Sequence, residues 1–509
     1  MSSSYKLEFY QEPMLEFAHS QKTDYCKDGL FLYGPLKKQT EISYGIIGHE
    51  EGIKRFEKWI SSINSYINSA DSKKLHFSSY PGFKSIFGAN LKLIDNAKIY
   101  VDKNTILNKI KQDNINKAIY ETVNLYREKL IHYKNNEEAI PDIWFVIIPE
   151  DVHRFGRPQS IVPKNERIAS NMLLTKKMKA QNLAGQVSLF PEINEQAKVY
   201  DYGTDFRRQL KARLLKEKIP IQIIRETSIA PNDFLDSRNQ PIRDVQDPAT
   251  IAWNLSTTMM FKAGCKPWKL ANIRKGVCYI GLVFKKLDKY NRNGNACCGA
   301  QMFLDTGDGL VFKGAIGNWL DKANNEFHLT KDKAKDLMKN ILEEYKRGQG
   351  EYPKELFIHG RTYFNDAQWN GFLEAAQNTT TKLIGIRITH ATNELKLYRL
   401  DGNRPIVRGT AFKVSDNNKA YLWTSGYVER FNTYPGFSVP NPITIEICRG
   451  EEVLDTVIKD IFALTKINFN SCAFGDSVPV TLKFADAVGD ILTAAPNEDV
   501  PPLPFIYYI

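Results

Sequence analysis

The chain is poor in the features that announce a metal centre, a membrane protein or a secreted scaffold. Its seven cysteines are scattered and none stands in a CxxC pair. A disulfide framework or a thiolate zinc site would need paired spacing, and the adjacent Cys297 and Cys298 lie inside an apolar strand-like run, as core thiols do. The eight histidines are equally dispersed, with no metal-ligand spacing among them. No apolar run reaches the ~20 residues that a bilayer requires. The opening Met1-Ser-Ser-Ser-Tyr-Lys-Leu-Glu8 has no apolar leader core. There is no internal repeat and no low-complexity tract. A reduced, cytoplasmic protein with no membrane contact is expected.

What is present is charge of one sign, concentrated in one place. Over 509 residues, 69 Lys and Arg outnumber 58 Asp and Glu, a net charge of +11 that favours an anionic partner. With 42% hydrophobic and 12% aromatic residues, the chain is globular and has room for roughly two to four domains. The stretch Arg207-Arg-Gln-Leu-Lys211-Ala-Arg-Leu-Leu-Lys-Glu-Lys218 holds six basic residues against one acid. Phe206, Leu210 and Leu214 recur at i, i+4, i+8, which predicts a helix with one buried face. Arg207 and Lys211 share a neighbouring face with Cβ atoms roughly 5–6 Å apart, where like charges oppose each other by about 0.2–0.5 kcal/mol. A phosphate lying between them removes that conflict, because fixed cationic donors match its oxygens. The bland alternative is a solvated basic face.

Residues 1–141 mix short strands, turns and helices. Asp28-Gly-Leu-Phe-Leu-Tyr-Gly-Pro35 reads as a strand edged by turn residues and Tyr44-Gly-Ile-Ile-Gly48 as another. Helices are expected at 51–67 and 105–134, the second on the surface. From 142 the character changes. Ile143-Trp-Phe-Val-Ile-Ile148 is a continuous apolar run ended by Pro149, which suits a strand buried on both faces. A polar insertion over 153–200 precedes the basic helix, then Pro220-Ile-Gln-Ile-Ile224 reads as a second buried strand and 248–263 as a helix. This alternation predicts a parallel α/β domain over 142–272. Residues 273–509 open with three strand-like runs, Val277 to Phe284, Ala296 to Leu304 and Leu310 to Lys313. Asp305-Thr-Gly-Asp-Gly309 is the expected hairpin turn. A helix at 330–348 and a fourth strand, Glu355 to His359, placed beside the first, complete the order of an RNase H-like core.

An α/β domain with an anion site, followed by an RNase H-like core, resembles the MID and PIWI domains of the Argonautes. The resemblance implies an α/β multidomain fold with an N-terminal linker lobe (1–141), a Rossmann-like MID domain (142–272) and an RNase H-like PIWI domain (273–509). The family's MID pocket also uses a glutamine on the next strand and a lysine in the following helix, and Gln222 and Lys262 stand at those places. By this resemblance Arg207, Lys211 and Lys262 neutralise the 5′-phosphate of a guide strand, while Gln222 donates a hydrogen bond to it. Many members carry tyrosine in place of Arg207 to stack on the first base, and a guanidinium also stacks on a base plane. Ile509 is implied as a terminal carboxylate that shares Mg2+ with the guide phosphate, with plain core anchoring as the alternative. Leu464-Thr-Lys-Ile-Asn-Phe-Asn470 and Pro479-Val-Thr-Leu-Lys-Phe-Ala-Asp486 resemble PIWI C-terminal motifs, in which Lys466, Asn468 and Lys483 face guide or target phosphates. Blandly read, they are a helix end and a helix start.

The PIWI half lacks the family's cutting chemistry. Two-metal phosphodiester hydrolysis needs several carboxylates converging on two cations. Slicing members place the first aspartate two residues after the glycine of the opening strand, where Gly281-Leu-Val283 has Val283. In Phe357-Ile-His-Gly-Arg361 the place of a second aspartate is taken by Arg361. Only Asp486 matches a late catalytic position, and a structural role suits it alone. Asp305 and Asp308 read as turn residues. The expectation is a PIWI domain without nuclease activity. About 140 residues precede the MID-like segment, too few for both an N and a PAZ domain, which resembles the short prokaryotic Argonautes. Gly264-Cys-Lys-Pro-Trp-Lys-Leu270 and Ala296-Cys-Cys298 resemble their TIR-APAZ-associated branch. That branch implies a guide RNA, a single-stranded DNA target and a heterodimer with a TIR-APAZ protein (alternatively a sirtuin-like-APAZ protein). The partner's effector would consume NAD(P) in antiviral abortive infection, within a higher oligomer formed when guide and target are bound. The rival classes are a guided nuclease with displaced carboxylates and a non-guided single-strand binder.

Overall fold

A computed structural model of the chain describes residues 5–71, 73–172, 174, 178, 189–286, 295–303, 309–321, 325–391, 394–400, 403–414, 418–436 and 438–509. Two sheets organise it. The smaller is a four-stranded parallel sheet in the order Asn90–Tyr100, Glu41–Gly48, Ile143–Ile148, Ile221–Arg225. Ile143–Ile148 is buried at all six positions. Its alternate residues serve two different cores, as the period of a strand requires. Ile143, Phe145 and Ile147 face one that includes Phe56 of the helix Glu50–Ser62, with the Phe56 and Phe145 rings 4.6 Å apart. Trp144, Val146 and Ile148 face the other, where Tyr126 of the helix Ile115–Asn136 meets Phe206 at 5.6 Å. The helix expected on the surface therefore buries one full face.

The boundary expected at 141/142 falls inside this sheet, because residues 41–100 supply two of its four strands. Asn90–Tyr100 escaped sequence reading because it is an edge strand: Lys92, Asp95, Asn96 and Lys98 interrupt its apolar positions. The strand expected at 28–35 is instead a helix, Cys26–Tyr33. Helical spacing buries Cys26, Gly29 and Leu30 together, leaving Phe31 and Leu32 exposed. Gly29 is required there, since a Cβ would sit 2.1 Å from the Phe17 ring. The first strand, Tyr5–Phe9, pairs with Thr410–Val414 of the larger sheet, so the N-terminal residues are shared between both halves.

The larger sheet has ten strands. Val277–Lys286, Asn295–Phe303 and Gly309–Asn318 form the expected antiparallel meander. After the helix Lys331–Gln349, the strand Glu355–Gly360 returns parallel to the first, as expected. The turn with Asp305 and Asp308 lies outside the described residues, as do the side chains of Cys297 and Cys298. One face of the sheet carries the Lys331–Gln349 and Asp366–Ala376 helices, and the other carries Val480–Leu492. That last helix lies very close to the opening strand, and a Cβ on Gly281 would stand 1.8 Å from the Thr481 carbonyl oxygen. His359 seals the same contact, its Nδ1 2.8 Å from Thr481 Oγ1, and burial pushes its pKa down to about 3, so the ring is neutral. Among the described residues no helix is long and apolar enough to cross a membrane.

The close helix–strand approach generates a prediction. Gly281→Ala forces the two elements apart and destabilises the fold by about 1–3 kcal/mol, the usual cost of overpacking. Thermal unfolding of the full chain reads this as a lowered Tm; an unchanged Tm would mean the helix has room to retreat.

A candidate anion pocket between the two sheets

The basic helix forms over Phe206–Leu214 and is capped by Asp205, whose side chain accepts from the Arg208 N–H at 3.0 Å. Capping by aspartate is worth about 1 kcal/mol. Phe206, Leu210 and Leu214 are buried as their spacing predicts. Arg213 turns away from the pocket and lies between the Tyr120 and Tyr202 rings, 4.4 and 4.7 Å from their centroids. Arg207 and Lys211 point toward the seam where the parallel sheet meets the Val480–Leu492 helix and the last residues of the chain. There a cavity of 520 Å³ opens, with Arg207, Arg208, Lys211, Gln222, Asp490 and Ile509 on its wall.

Lys211 is half-buried, with Nζ donating to the Tyr508 carbonyl at 3.1 Å. Desolvation, and then repulsion from Arg207, brings its pKa down to about 7. Lys262, at the end of the Pro248–Lys262 helix, is 1% exposed. Its Nζ donates to the Ile221 carbonyl at 2.6 Å and to Gln222 Oε1 at 2.8 Å. Burial, reinforced by Lys211 and Arg207, holds it well below the ordinary lysine range. Arg207 is likewise lowered, chiefly by burial, against the opposing pull of Asp205. None of the three forms an ion pair with a carboxylate among the described residues.

Four residues expected to act together are thus gathered, but in two tiers. Arg207, Lys211 and Gln222 reach the cavity. Lys262 stands behind Gln222 and takes up the amide oxygen; of the two amide N–H groups one reaches the Ile223 carbonyl at 3.3 Å, which leaves the other to donate into the cavity. Its direct contact with a phosphate, expected from sequence, is replaced by orientation of Gln222 and by its field. Ile509 is both buried and on the wall, beside the carbonyl that holds Lys211.

The Mg2+ expected from the resemblance favours carboxylate and phosphate oxygens. Of the carboxylates on the wall, Asp205 caps the helix and Asp490 is bound by Arg208 at 2.8 Å and by Lys285 at 3.4 Å, so the terminal carboxylate expected at Ile509 is the group that would hold the ion together with a phosphate. Among the described residues no three His, Cys, Asp or Glu side chains converge.

Two further expectations are corrected. Lys466 is wholly buried, paired to Glu12 at 3.2 Å and 3.5 Å above the Phe474 ring, with burial bringing its pKa to about 8. Asn468 is spent on its own loop, bonding Ser471 Oγ and the Asn470 N–H, both at 2.9 Å. Both are internal struts, unable to face a phosphate without unpacking. Lys483 is partly exposed and paired with Asp476.

At the degenerate catalytic positions, Val283 is 4% exposed within the opening strand. Arg361 bonds Asp486, and Lys285 Nζ lies 3.0 Å from the same carboxylate. Sequence reading missed Lys285, Arg208, Asp490 and the cap Asp205. Their signals were present: Lys285 follows Gly281 and Val283 on the same strand face, Asp490 follows Asp486 by one helical turn, and Asp205 directly precedes the apolar-periodic run.

No family model matches the sequence, and no curated protein matches it. Solved structures do share its fold. Clostridium butyricum Argonaute, bound to a guide DNA with a 5′ deoxycytidine and a 19-mer target DNA, aligns over 99% of this chain and 55% of its own, with a TM-score of 0.63 and 17% identity. Aa-Ago with externally bound siRNA aligns over 100% of this chain and 56% of its own, at a TM-score of 0.55 and 14% identity. A. aeolicus Argonaute gives 99% and 55%, at 0.53 and 15%. The chain has an Argonaute-like fold of the MID–PIWI type. It spans about 55% of the length of these structures.

The depressed Lys211 pKa sets a pH dependence. Between about 7 and the ordinary lysine value of 10.5, the unfolded chain holds a proton that folded Lys211 has released, so its contribution to stability rises with pH across that window. Lys211→Met removes this slope and stabilises the anion-free protein at neutral pH. Urea unfolding at pH 7 and pH 9 measures it; an equal pH dependence in both proteins would contradict the half-buried position of Lys211.

Proposed function

We propose that the chain is the guide-binding subunit of a short-Argonaute defence complex. It anchors the 5′-phosphate of a guide RNA, presents the guide to single-stranded DNA, and leaves destruction to a partner protein. The observation that carries the reading is the convergence of Arg207, Lys211 and Gln222 on a cavity of 520 Å³, with Lys262 buried behind Gln222 and none of the three cations paired to a carboxylate among the described residues.

A terminal phosphate entering the cavity would meet the Arg207 guanidinium, the Lys211 ammonium and the Gln222 amide N–H. Its charge would raise the pKa of both lysines, so that Lys211 binds it as a cation while Lys262 acts from behind Gln222 through its field. Arg207 offers several donors in a fixed fork and a flat face for the first base. The protein then holds the guide by its end and backbone, while base pairing supplies sequence.

Cleavage is not part of this reading. Asp486 is engaged by Arg361 and Lys285, and Val283 offers no oxygen for a metal. Output would pass to an APAZ partner, of the TIR type by the sequence resemblance of Gly264–Leu270, whose NAD(P) consumption starts when guide and target pair and the heterodimers assemble further. The likeness to Argonautes bound to guide and target supports nucleic acid as the ligand class.

The test compares one short RNA bearing a 5′-phosphate or a 5′-hydroxyl. The phosphate form binds more tightly, and Lys211→Ala weakens it by tenfold or more, as loss of a charged hydrogen bond worth about 1.5–3 kcal/mol requires; Lys262→Ala weakens it in the same direction by releasing Gln222 and removing a nearby charge. Equal binding of both RNAs would return the protein to a generic single-strand binder. Metal-dependent cutting of a matched target by the purified protein would overturn the non-cleaving assignment.

A further inference from the structure

We propose that Cys26 and Cys472 are a modification site, a thiol pair that hydrogen peroxide closes to a disulfide in the folded protein and that thiol reductants reopen. The site does not depend on the pocket reading above, although the loop it would pin borders that pocket.

Cys26 opens the helix Cys26–Tyr33, and Cys472 lies on the loop between the Leu454–Leu464 and Val480–Leu492 helices. Far apart in the chain, they meet in the core as buried, free thiols. The two thiols are hydrogen-bonded to each other. Cys26 Sγ also donates at 3.4 Å to the carbonyl of Ala473, the residue next to Cys472. Cys472 is held in place: its N–H donates to Asn254 Oδ1 at 2.9 Å, and its Sγ lies 2.8 Å from Thr257 Oγ1. Sulfurs already in contact need little backbone movement to bond covalently.

The surroundings favour one thiolate over two inert thiols. Lys27, beside Cys26, is buried and forms no ion pair with a carboxylate among the described residues. Its ammonium lies 5.9 Å from the centroid of the Trp253 ring. Burial lowers the Lys27 pKa, and the two cysteines pull it back more than Asp247 or Asp28 does. At Cys472 burial opposes the charged form, but hydrogen bonds to Cys26 and Thr257 and the charge of Lys27 outweigh it and hold the thiol below its usual value. Cys26 moves the other way, pushed up by burial and by Cys472. The pair divides into a nucleophile and a proton-bearing thiol behind it, as a redox-sensitive cysteine and its resolving partner do. Ala473 is exposed and Ser471 half-buried, so a molecule as small as peroxide has little depth to cross.

The Cys472 thiolate attacks one peroxide oxygen. The S–O bond forms, the O–O bond breaks, and the departing hydroxide takes up the proton that Cys472 had released. Cys26 sulfur then attacks the sulfenic sulfur of Cys472. The S–S bond forms, the S–O bond breaks, and the second hydroxide leaves as water with the Cys26 proton. Both thiols are oxidised to one disulfide, and the peroxide is reduced to water. In a reducing compartment such a bond is transient. While it lasts, it ties the Cys26–Tyr33 helix to the loop that carries Phe469, stacked on Phe261, and Asn470 of the pocket wall.

Full-length protein is treated with hydrogen peroxide under native conditions, its remaining thiols are alkylated, and its tryptic peptides are mapped by mass spectrometry. The 23–27 peptide should appear joined to the 467–483 peptide, lighter than their sum by the two thiol hydrogens. Dithiothreitol should separate them and restore both thiols to alkylation. Cys26→Ser should abolish the link and leave Cys472 as a sulfenic acid that dimedone traps. Recovery of Cys26 and Cys472 as separately alkylated thiols, or joined to other cysteines, overturns the proposal. So does a link that forms as readily in guanidinium chloride, because the fold would then not be what brings the sulfurs together. The wild-type map needs no substitution, so it decides even if Cys26→Ser folds poorly.

Discussion

Arg207, Lys211 and Lys262 meet in one seam with no carboxylate among the described residues to neutralise them; Lys262 is fully buried and Lys211 half-buried, and unpaired charge taken out of water is among the costliest features a fold can carry. The protein lowers that cost by letting protons go: desolvation brings Lys211 to about 7 and holds Lys262 well below the ordinary lysine range. Carbonyl oxygens of Ile221 and Tyr508 then accept from the amines. The rest of the seam serves to hold this arrangement. Phe206, Leu210 and Leu214 lock the basic helix, while Phe261, Phe469, Phe484 and Phe505 stack across the junction of the two sheets, with ring centroids of 4.4 Å for Phe261–Phe469 and Phe484–Phe505.

The opposite treatment of charge is seen one helical turn away. Around Asp486 every carboxylate has a cation and every cation has a carboxylate, with Arg361, Lys285 and Arg208 shared between Asp486 and Asp490. An anion would relieve the unpaired cations of the pocket, whereas around Asp486 it would compete with carboxylates already in place. The Val480–Leu492 helix couples the two places physically, since it carries Asp490 on the pocket wall and Asp486 beside Arg361.

Sequence reading found what periodicity and charge encode. Ile143–Ile148 reads as a strand buried on both faces and is one; the Phe206/Leu210/Leu214 spacing gives the helix, and the helix spacing gives the Arg207–Lys211 pair. It lost what depends on tertiary context. Asn90–Tyr100 is an edge strand whose polar residues hide its period, so the parallel sheet was taken to begin at 142. Gly29 lets a helix pack under the Phe17 ring where the apolar run Leu30-Phe-Leu-Tyr33 suggested a strand. Lys466 and Asn468 carry the right side chains for phosphate, but their burial against Glu12, Phe474 and Ser471 is a property of packing that no local pattern reveals. Lys262 was found as a residue and misjudged as a contact, because only the fold shows it standing behind Gln222.

Proton counting tests the central claim most directly. At pH 8 a 5′-phosphate, with a second pKa of about 6, is already a dianion, while Lys211 is mostly neutral. Binding must therefore draw protons from solution. Calorimetry of the 5′-phosphorylated RNA in buffers of different ionisation enthalpy should show uptake of about one proton or more, absent with the 5′-hydroxyl RNA. Equal heats in all buffers for the phosphorylated strand would contradict the account, because Lys211 would then not be the group that meets the phosphate.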